Sequence, residues 1–430
     1  MKILHTSDWH LGQTLHQYER GYEHARFLDW LLEQLEAEQV DALLIAGDLF
    51  DHTNPSAASQ RQLYDFLTRA RARVPQLAIV MIAGNHDSPG RIEAPGPLLS
   101  LFDASAIGAI GAVGRPADGA SDANDEDSAA QLDRLILPLK DRSGAVAAWC
   151  IAMPFLRPAD LPRLAASETE ALDSYQAGMA QLYRQAWQRV QARRQPGQAV
   201  VAMGHCHMRG GQVSEESERR LVIGGAEALP SALFDPGIAY VALGHLHLAQ
   251  RVGGDPTRRY CGSPLPLSFS EVDYPHQVLL VELSGEAVTE VRELRIPRAV
   301  ELLRLPRQPA PLEQVLKQLE ALELPQRPEA EQPYLLVRVQ LEQPEPGLRA
   351  SIEAALAGKP VRLVRIETSH VRAAELSEAN PAPKVSVEEL ASLEPADFFG
   401  RLYRHRFGAE PAHELLQAFD ELLLQAQETA

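Results

Sequence analysis

Five short apolar runs of this chain end in the same manner, at a glycine or serine that lies close to aspartate, asparagine or histidine. The clearest is Leu77–Ile82, which leads into Gly84-Asn85-His86-Asp87. Strand ends that deliver polar side chains through a glycine turn are where open α/β sheets place their chemistry. One such turn is ordinary, but five in one chain constrain both the fold and the position of the site.

Strand and helix patterns alternate along the first hundred residues. Lys2–Thr6, Val40–Ala46 and Leu77–Ile82 have the apolar character of buried strands. Glu19–Glu38 and Pro55–Arg73 carry apolar residues at helical spacing. This order predicts a parallel sheet with right-handed crossovers.

The five strand ends collect the residue types that bind metals. The segments are Asp8-x-His10, Gly47-Asp48, Gly84-Asn85-His86-Asp87, Gly204-His205 and Gly244-His245-x-His247. The last two follow the apolar runs Gln198–Met203 and Ile238–Leu243. Parallel strands bring their carboxyl ends to one edge of a sheet, so these side chains are expected in one cleft. A histidine beside a glycine is usually structural, but the five segments together predict a metal site.

The types of ligand point to two divalent cations and a phosphate ester. Histidine and carboxylate ligands suit Mn²⁺, Fe²⁺ or Zn²⁺, and no cysteine pattern suggests structural zinc. The positive charge of two divalent cations exceeds the negative charge of the two carboxylates expected as ligands, Asp8 and Asp48. A site that stays positive favours an anionic ester and its transition state. Asn85 would bind a metal without neutralising this charge.

Composition sets the class and the compartment. The chain has 430 residues with 45% apolar and 23% charged residues, which are globular values for two or three domains. Cys150, Cys206 and Cys261 show no CxxC spacing, and neither a signal peptide nor a long apolar stretch is read, so a cytoplasmic location is expected. The net charge of −17 argues against a free-standing nucleic-acid binder.

The chain divides into three predicted parts. They are a large domain at 1–296, a smaller α+β unit at 297–378 and a helical segment at 385–430. Proline-rich stretches at Pro306–Pro311 and Asn380–Pro383 are interpreted as linkers. The helical segment carries an apolar stripe, formed by Leu415, Leu416, Phe419, Leu422 and Leu423.

The five motifs resemble those of the calcineurin-like metallophosphoesterases. Within them, the run His5–Gly12 and the run Ala46–Asp51 followed by Pro55-Ser56 resemble the SbcD family, the nuclease subunits of bacterial SbcC–SbcD complexes. Eukaryotic and archaeal double-strand-break repair nucleases are the counterparts of this family. The resemblance covers Met1 to about Arg295 by motif and the remainder by order of elements. It implies an α/β fold in which a two-sheet sandwich flanked by helices is followed by a smaller α+β capping domain and C-terminal helices.

The resemblance also implies a role for each residue. Asp8, His10 and His247 would bind one metal, Asn85, His205 and His245 the other, and Asp48 would bridge both. His86 would act at the leaving oxygen as general acid or transition-state stabiliser, and Asp87 would orient His86 by accepting a ring N–H. His52 matches a position near the scissile phosphate, with a solvent-exposed loop histidine as the alternative.

Some neighbouring residues are given no role in the chemistry. His207 and Cys206 are interpreted as packing or supporting residues, since the family needs one ligand in Gly204–His207. His5 is interpreted as a core or surface residue.

The function implied is a metal-dependent DNA nuclease, with Mn²⁺ as the most favoured metal. It would act as a double-strand exonuclease and a hairpin or single-strand endonuclease, with the ATPase SbcC, in DNA repair, recombination and replication. The implied assembly is a heterotetramer of two SbcC and two nuclease subunits, with a homodimer contact through the nuclease domain. Arg61, Arg91 and Arg251 are candidate DNA contacts.

Two other functions stay open at this point. One is a metallophosphoesterase acting on a small molecule or phosphoprotein, and the other is a non-catalytic scaffold that tethers DNA ends. The C-terminal stripe could dock on its own domain instead of on SbcC, and the α+β unit could be a generic domain.

Overall fold

A computed structural model describes residues 1–111, 130–161, 171–214, 228–341, 345–370, 399–404, 411, 415–416 and 419. The chain forms two compact units, Met1–Val300 and Glu301–Ala430.

The first unit contains two six-stranded sheets. The first sheet has the order β14-β13-β1-β4-β5-β6. Its strands are β1 (Lys2–Thr6), β4 (Ala42–Ala46), β5 (Ala78–Ile82), β6 (Ala104–Ile107), β13 (Gln277–Ser284) and β14 (Ala287–Arg295). A two-stranded hairpin follows β1, formed by β2 (Thr14–Leu15) and β3 (Tyr18–Glu19).

The second sheet has the order β11-β12-β10-β9-β8-β7. Its strands are β7 (Ile136–Lys140), β8 (Val146–Ala152), β9 (Ala199–His205), β10 (Tyr240–Gly244), β11 (Gln250–Arg251) and β12 (Arg258–Tyr260). Helices flank the sheets, and they are α1 (Gly21–Ala37), α2 (Ala57–Arg73), α3 (Pro89–Glu93), α4 (Gly96–Leu99) and α5 (Ala171–Arg193).

The alternating side chains of β4 show why the sheets form a sandwich. Leu44 and Ala46 lie in the apolar core shared with the second sheet, while Leu43 and Ile45 lie in the core shared with α1 and α2. A strand buried on both faces needs an apolar side chain at every position. The two-sheet sandwich flanked by helices is confirmed.

One expectation about the sheet is wrong. The five polar strand ends do not share a single sheet, because β1, β4 and β5 belong to the first sheet and β9 and β10 to the second. The antiparallel pair of β7 and β8 begins the second sheet. No local sequence pattern distinguishes a strand that begins a new sheet from one that extends the first sheet. Each sheet keeps its own strands parallel at the site, with β1 beside β4, β4 beside β5, and β9 beside β10.

The second unit has a three-stranded parallel sheet with two connecting helices. Its elements are β15 (Leu302–Pro311), α6 (Leu312–Glu320), β16 (Tyr334–Leu341), α7 (Leu348–Ala355) and β17 (Arg362–His370). Alternate residues of β16, such as Leu335 and Val337, pack against Val315 and Ile352 of the helices.

The predicted linker Pro306–Pro311 is the end of strand β15. The pairing of β15 with β16 is irregular between Leu305 and Ala310. Proline lacks a main-chain N–H and is tolerated on an edge strand or at such an irregularity. Most of the predicted C-terminal helices, and the linker Asn380–Pro383, lie outside the described residues.

Candidate metal centre

The polar ends of the two sheets meet through hydrogen bonds. The main-chain N–H of His245, after β10, donates to both carboxylate oxygens of Asp8, after β1, at 3.0 and 3.2 Å. The ring of His205 donates from Nδ1 to the carbonyl oxygen of Ala46, at the end of β4, at 2.9 Å. Residues far apart in the chain are therefore fixed at one place.

The first group of possible ligands contains Asp8, His10 and His247. One ligand atom from each lies within 4.8 Å of the others. His10 donates from Nδ1 to Asp51 Oδ1 at 3.1 Å, which leaves Nε2 as a lone-pair acceptor. That Nε2 is buried, has no hydrogen-bond partner among the described residues and lies 3.5 Å from Asp48 Oδ2. An orphaned buried acceptor beside a carboxylate fits a cation.

His247 is oriented in the same way by a buried carboxylate. Its Nδ1 donates to Glu271 Oε1 at 2.8 Å, so Nε2 is the ring atom available to a metal. Glu271 is fully buried, and its other oxygen accepts the main-chain N–H of Leu267 at 2.7 Å. Carboxylates that hold a histidine ligand in this manner raise its basicity and fix its ring.

The second group contains Asn85, His205 and His245. Asn85 Oδ1 lies 3.0 Å from His205 Nε2 and 3.0 Å from His245 Nδ1. Because Nδ1 of His205 carries the proton that is donated to the Ala46 carbonyl, Nε2 of the neutral ring is a hydrogen-bond acceptor. It faces Asn85 Oδ1, which is also an acceptor. Such an arrangement requires a proton or a cation between the atoms.

Asp48 lies between the two groups. It can share a metal with His10 and His86, or with Asp8 and His205. Although burial opposes ionisation, the charges of His205 and His10 hold the pKa of Asp48 well below its usual range. Burial likewise opposes charge on His205, but Asp48 raises the pKa of that ring to about 9. A cation would take the place of this proton.

Four of the proposed ligands have strained backbones. Asp8, His10, Asp48 and His245 have φ values of 54°, 46°, 49° and 105°. Non-glycine residues rarely adopt positive φ, and such residues cluster at functional sites, where the surrounding structure enforces them. All four positions lie at strand ends, where the two sheets meet.

His86 lies at the edge of this cluster and is half-buried. Its main-chain N–H donates to Asp48 Oδ1 at 2.8 Å, and its ring Nδ1 donates to the carbonyl oxygen of Asp51 at 2.8 Å. Its ring centroid is 4.8 Å from that of His10. The Asp51 carbonyl fixes the tautomer and leaves His86 Nε2 to interact with a substrate.

The predicted role of Asp87 is corrected by these contacts. Its carboxylate accepts three main-chain N–H groups, from Leu49 at 3.1 Å, Phe50 at 3.0 Å and Gly84 at 2.9 Å. The ring of His86 is oriented by Asp51 instead. Burial, and then the charge of Asp48, raise the pKa of Asp87 to about 6. Asp87 therefore ties together the two turns that carry Asp48 and Asn85.

The other histidines lie around the cluster. His52 is exposed, with its Nε2 3.1 Å from Asp51 Oδ2. His207 is half-buried, 6.3 Å from the ring of His245, while Cys206 is buried. His5 lies in the core with Nδ1 2.9 Å from the Tyr240 hydroxyl, and burial lowers its pKa to about 3.

Sequence reasoning missed Asp51 and Glu271, which orient His10 and His247. Asp51 lies within the motif Gly47–Asp51, so its proximity to Asp48 was a usable signal. Glu271 lies 24 residues beyond His247, in a segment without periodicity, and only the tertiary fold brings it into contact.

Glu271→Gln tests the importance of this second carboxylate. The amide loses the negative charge that polarises His247 and can no longer accept from both partners. We expect metal affinity to fall by about 10- to 100-fold, measured by calorimetric titration with Mn²⁺. The exposed Glu290 on β14 provides the control Glu290→Gln, and equal affinities in the two variants would contradict the role given to Glu271.

Comparisons with known proteins identify the family of the chain. The family model of the calcineurin-like phosphoesterases matches residues 1–249. A second model, described as the type 5 capsule protein repressor C-terminal domain, matches residues 298–407.

Similar proteins of known name are nuclease SbcCD subunits D. The chain is 40% identical to that of Rhodobacter capsulatus over 383 residues, which cover 89% of this chain and 90% of the relative. It is 32% identical to that of Escherichia coli K12 over 69% of this chain and 68% of the relative. Identity to the Bacillus subtilis protein is 34% over 67% of this chain and 68% of the relative.

Proposed function

The chain belongs to the calcineurin-like phosphoesterase family, and from that membership we propose that it is a metal-dependent DNA nuclease of the SbcD type. It would act as a double-strand exonuclease and as an endonuclease on hairpins and single strands, together with the ATPase SbcC. The observation that carries the proposal is the cluster of buried, mutually facing acceptor atoms at the meeting point of the two sheets. The names of the relatives supply the substrate and the partner.

We propose the ligand assignment that the family implies. Asp8, His10 and His247 hold one divalent cation, Asn85, His205 and His245 hold a second, and Asp48 is shared. Mn²⁺ suits this set of nitrogen and oxygen donors without thiolate. When bound, the two cations would supply positive charge to the phosphoryl oxygens and activate the attacking water.

The protein's own groups would then do the remaining work. In its imidazolium form, His86 donates the Nε2 proton to the leaving oxygen and is left as the neutral ring whose Nδ1–H is held by the Asp51 carbonyl at 2.8 Å. Asp87 is kept as a positioning residue that holds the turns on either side of the site. The exposed His52 can reach a bound phosphate without being part of the metal cluster.

Asn85→Asp tests whether the site works through retained positive charge. We expect metal to bind at least as tightly, because an anion replaces a neutral ligand, while kcat falls by roughly tenfold as attraction for the anionic transition state weakens. Initial rates at saturating Mn²⁺ measure this effect. Asn54→Asp adds the same charge on an exposed loop and serves as the control. Faster turnover of Asn85→Asp would refute the charge argument.

A substrate panel separates the candidate functions. The chain is incubated with Mn²⁺ and linear, hairpin or nicked DNA, with and without SbcC and ATP, and separately with cyclic nucleotides and phosphopeptides. Metal-dependent cleavage of DNA would support the proposed nuclease function. Efficient hydrolysis of small substrates with inert DNA would favour a different phosphoesterase, and inactivity on every substrate would favour a scaffold.

The domains and partners are proposed as follows. Residues 1–296 form the nuclease domain, 297–378 a capping domain that selects DNA, and 385–430 helices that bind SbcC. Within the described part of the last segment, Leu402 and Leu415 are exposed and the rings of Phe399 and Phe419 stack at 4.3 Å. Exposed apolar side chains of this kind suit a helix-in-groove contact.

We also propose a homodimer through the nuclease domain, within a heterotetramer of two SbcC and two nuclease subunits. Leu98 and Leu101 support it, since they are 64% and 73% exposed on one short segment. Large apolar side chains exposed together mark interaction surfaces. Sedimentation equilibrium of the isolated chain tests the dimer, and a monomer at every concentration would exclude it.

Location and DNA contacts follow from the same proposal. No helix in the described ranges is long and apolar enough to cross a membrane. The three cysteines are free and buried, and the cytoplasm remains our prediction. Arg61, Arg91 and Arg251 are exposed and remain candidate DNA contacts.

A further inference from the structure

Helix α1 begins with buried polar residues on the side that its periodicity predicts to be apolar. Arg20, which precedes the helix, is 1% exposed, and Glu23 and His24 are 2% and 0% exposed. Arg20 donates from Nε and Nη2 to the two carboxylate oxygens of Glu23 at 2.8 and 2.6 Å. A buried ion pair is a poor source of stability, because both charges lose their hydration. A role other than stabilising the fold would explain why this ion pair is buried here.

His24 contacts the turn that carries two proposed ligands. Its Nε2 donates to the carbonyl oxygen of Trp9 at 3.0 Å, and Trp9 lies between Asp8 and His10 in the chain. The other ring nitrogen of His24 is buried and has no hydrogen-bond partner in the part of the chain that the structure describes. The bond to Trp9 fixes the main chain between the two ligands.

Arg20 contacts a second segment, at Pro266, and reaches Leu267 through Gln13. Its Nη1 donates to the carbonyl oxygen of Pro266 at 2.6 Å and to Gln13 Oε1 at 3.0 Å. Gln13 in turn donates from Nε2 to the carbonyl oxygen of Leu267 at 3.2 Å. Two adjacent carbonyls are thus held by one buried guanidinium and the amide that it orients.

The segment held by Arg20 leads directly to the third ligand. The main-chain N–H of Leu267 donates to one oxygen of Glu271, whose other oxygen accepts from His247 Nδ1. Arg20 is therefore connected to His247 by consecutive hydrogen bonds and a short piece of backbone.

We infer that the start of α1 is a clamp that positions the three ligands of a single metal. Arg20 and His24 are its positioning residues, acting on His247 and on the turn of Asp8 and His10 respectively. The inference rests on the proposed function, since it assumes that these three ligands share one cation. The second metal group is oriented elsewhere, because His205 donates to the Ala46 carbonyl.

The double variant Arg20→Met/Glu23→Leu separates positioning from stability. Replacing both members of a buried pair by apolar residues of similar size is often neutral or stabilising. We expect the metal-free chain to stay folded, with a melting temperature lowered only by the loss of the donor to the Pro266 carbonyl, while one of two Mn²⁺ ions binds at least about tenfold more weakly. Metal content at limiting Mn²⁺ should fall from two towards one per chain. The electron paramagnetic resonance spectrum should change from that of a coupled pair to the six-line signal of an isolated ion.

Matched variants make the outcome decisive. Arg26 and Asp29 form an exposed pair on the same helix, and Arg26→Gln/Asp29→Asn should retain both metals. His24→Gln keeps a donor for the Trp9 carbonyl and should retain the coupled signal, whereas His24→Leu should lose it. If Arg20→Met/Glu23→Leu fails to fold, the two His24 variants decide between the outcomes.

Three results would overturn or redirect the inference. Two Mn²⁺ ions bound with unchanged affinity in a folded Arg20→Met/Glu23→Leu variant would exclude the role of Arg20. Identical spectra for His24→Gln and His24→Leu would exclude the role of His24. A wild-type chain that binds no metal would refute the proposed function itself, and with it the premise of the clamp.

Discussion

Replacement of His86 by glutamine lowers kcat by about two to four orders of magnitude, the contribution typical of a positioned general acid, while two metal ions stay bound. The reason lies in its two hydrogen bonds. The main chain of His86 is tied to Asp48 and its Nδ1 to the Asp51 carbonyl, so Nε2 is the ring atom that would carry the proton given to the leaving oxygen. Glutamine can occupy this space but cannot deliver a proton at neutral pH. Single-turnover cleavage of a DNA hairpin, with metal content measured on the same sample, gives the result.

The metal measurement distinguishes two roles for this ring. His86 can also share a metal with His10 and Asp48 on distance alone. If His86 were a ligand, the variant would lose metal together with activity. Loss of activity with both ions in place identifies proton transfer, and activity that survives unchanged would contradict both roles.

His52 provides a comparison on the neighbouring turn. Its side chain is 70% exposed and contacts Asp51, which places the ring beside the site although it is not a proposed metal ligand. We expect His52→Gln to raise KM by about tenfold or less, with a smaller effect on kcat. A loss of kcat equal to that of His86→Gln would place His52 in the proton-transfer step instead.

The elements that bury one continuous apolar face were predictable from the sequence. Lys2–Thr6 is a strand with the predicted bounds, and the predicted helix Pro55–Arg73 is Ala57–Arg73. The four-residue strand Ala104–Ile107 was missed, because it is too short to show a period within a stretch that reads as a connection. The prolines of Pro306–Pro311 suggested a linker, although an edge strand tolerates them.

The site was predictable where a residue and its partners lie in one motif. The side chains named as ligands meet at one place because each follows a strand end. They meet although the strands belong to two sheets and not to one. The role predicted for Asp87 was wrong because the direction of its side chain depends on contacts with another turn. Its carboxylate turns inwards to three main-chain N–H groups, a choice that adjacent residues cannot reveal. Asp51, Glu271 and Arg20 act through contacts that only the folded chain creates.

Replacement of Gly244 by alanine should dismantle the metal centre. A Cβ atom at this position would lie 1.9 Å from the carbonyl oxygen of Ala46 and 2.9 Å from His205 Nδ1. That carbonyl is the acceptor that orients His205, and His245 is the next residue in the chain. The two sheet ends would have to separate where both ligands are held. We expect a loss of about 1–3 kcal/mol of unfolding free energy from overpacking.

The functional effect of Gly244→Ala should exceed its effect on stability. A displacement of about 1 Å in a catalytic group costs on the order of a hundredfold in rate, and here two ligands of one metal move together. Mn²⁺ titration and nuclease rates below the melting temperature should show both losses. Gly21→Ala is the control, because a Cβ there meets nothing within 4 Å. A Gly244→Ala variant that keeps two metals would mean that strand β10 can shift without moving His245. The close approach of the two sheets would then be a packing feature and not a requirement of the site.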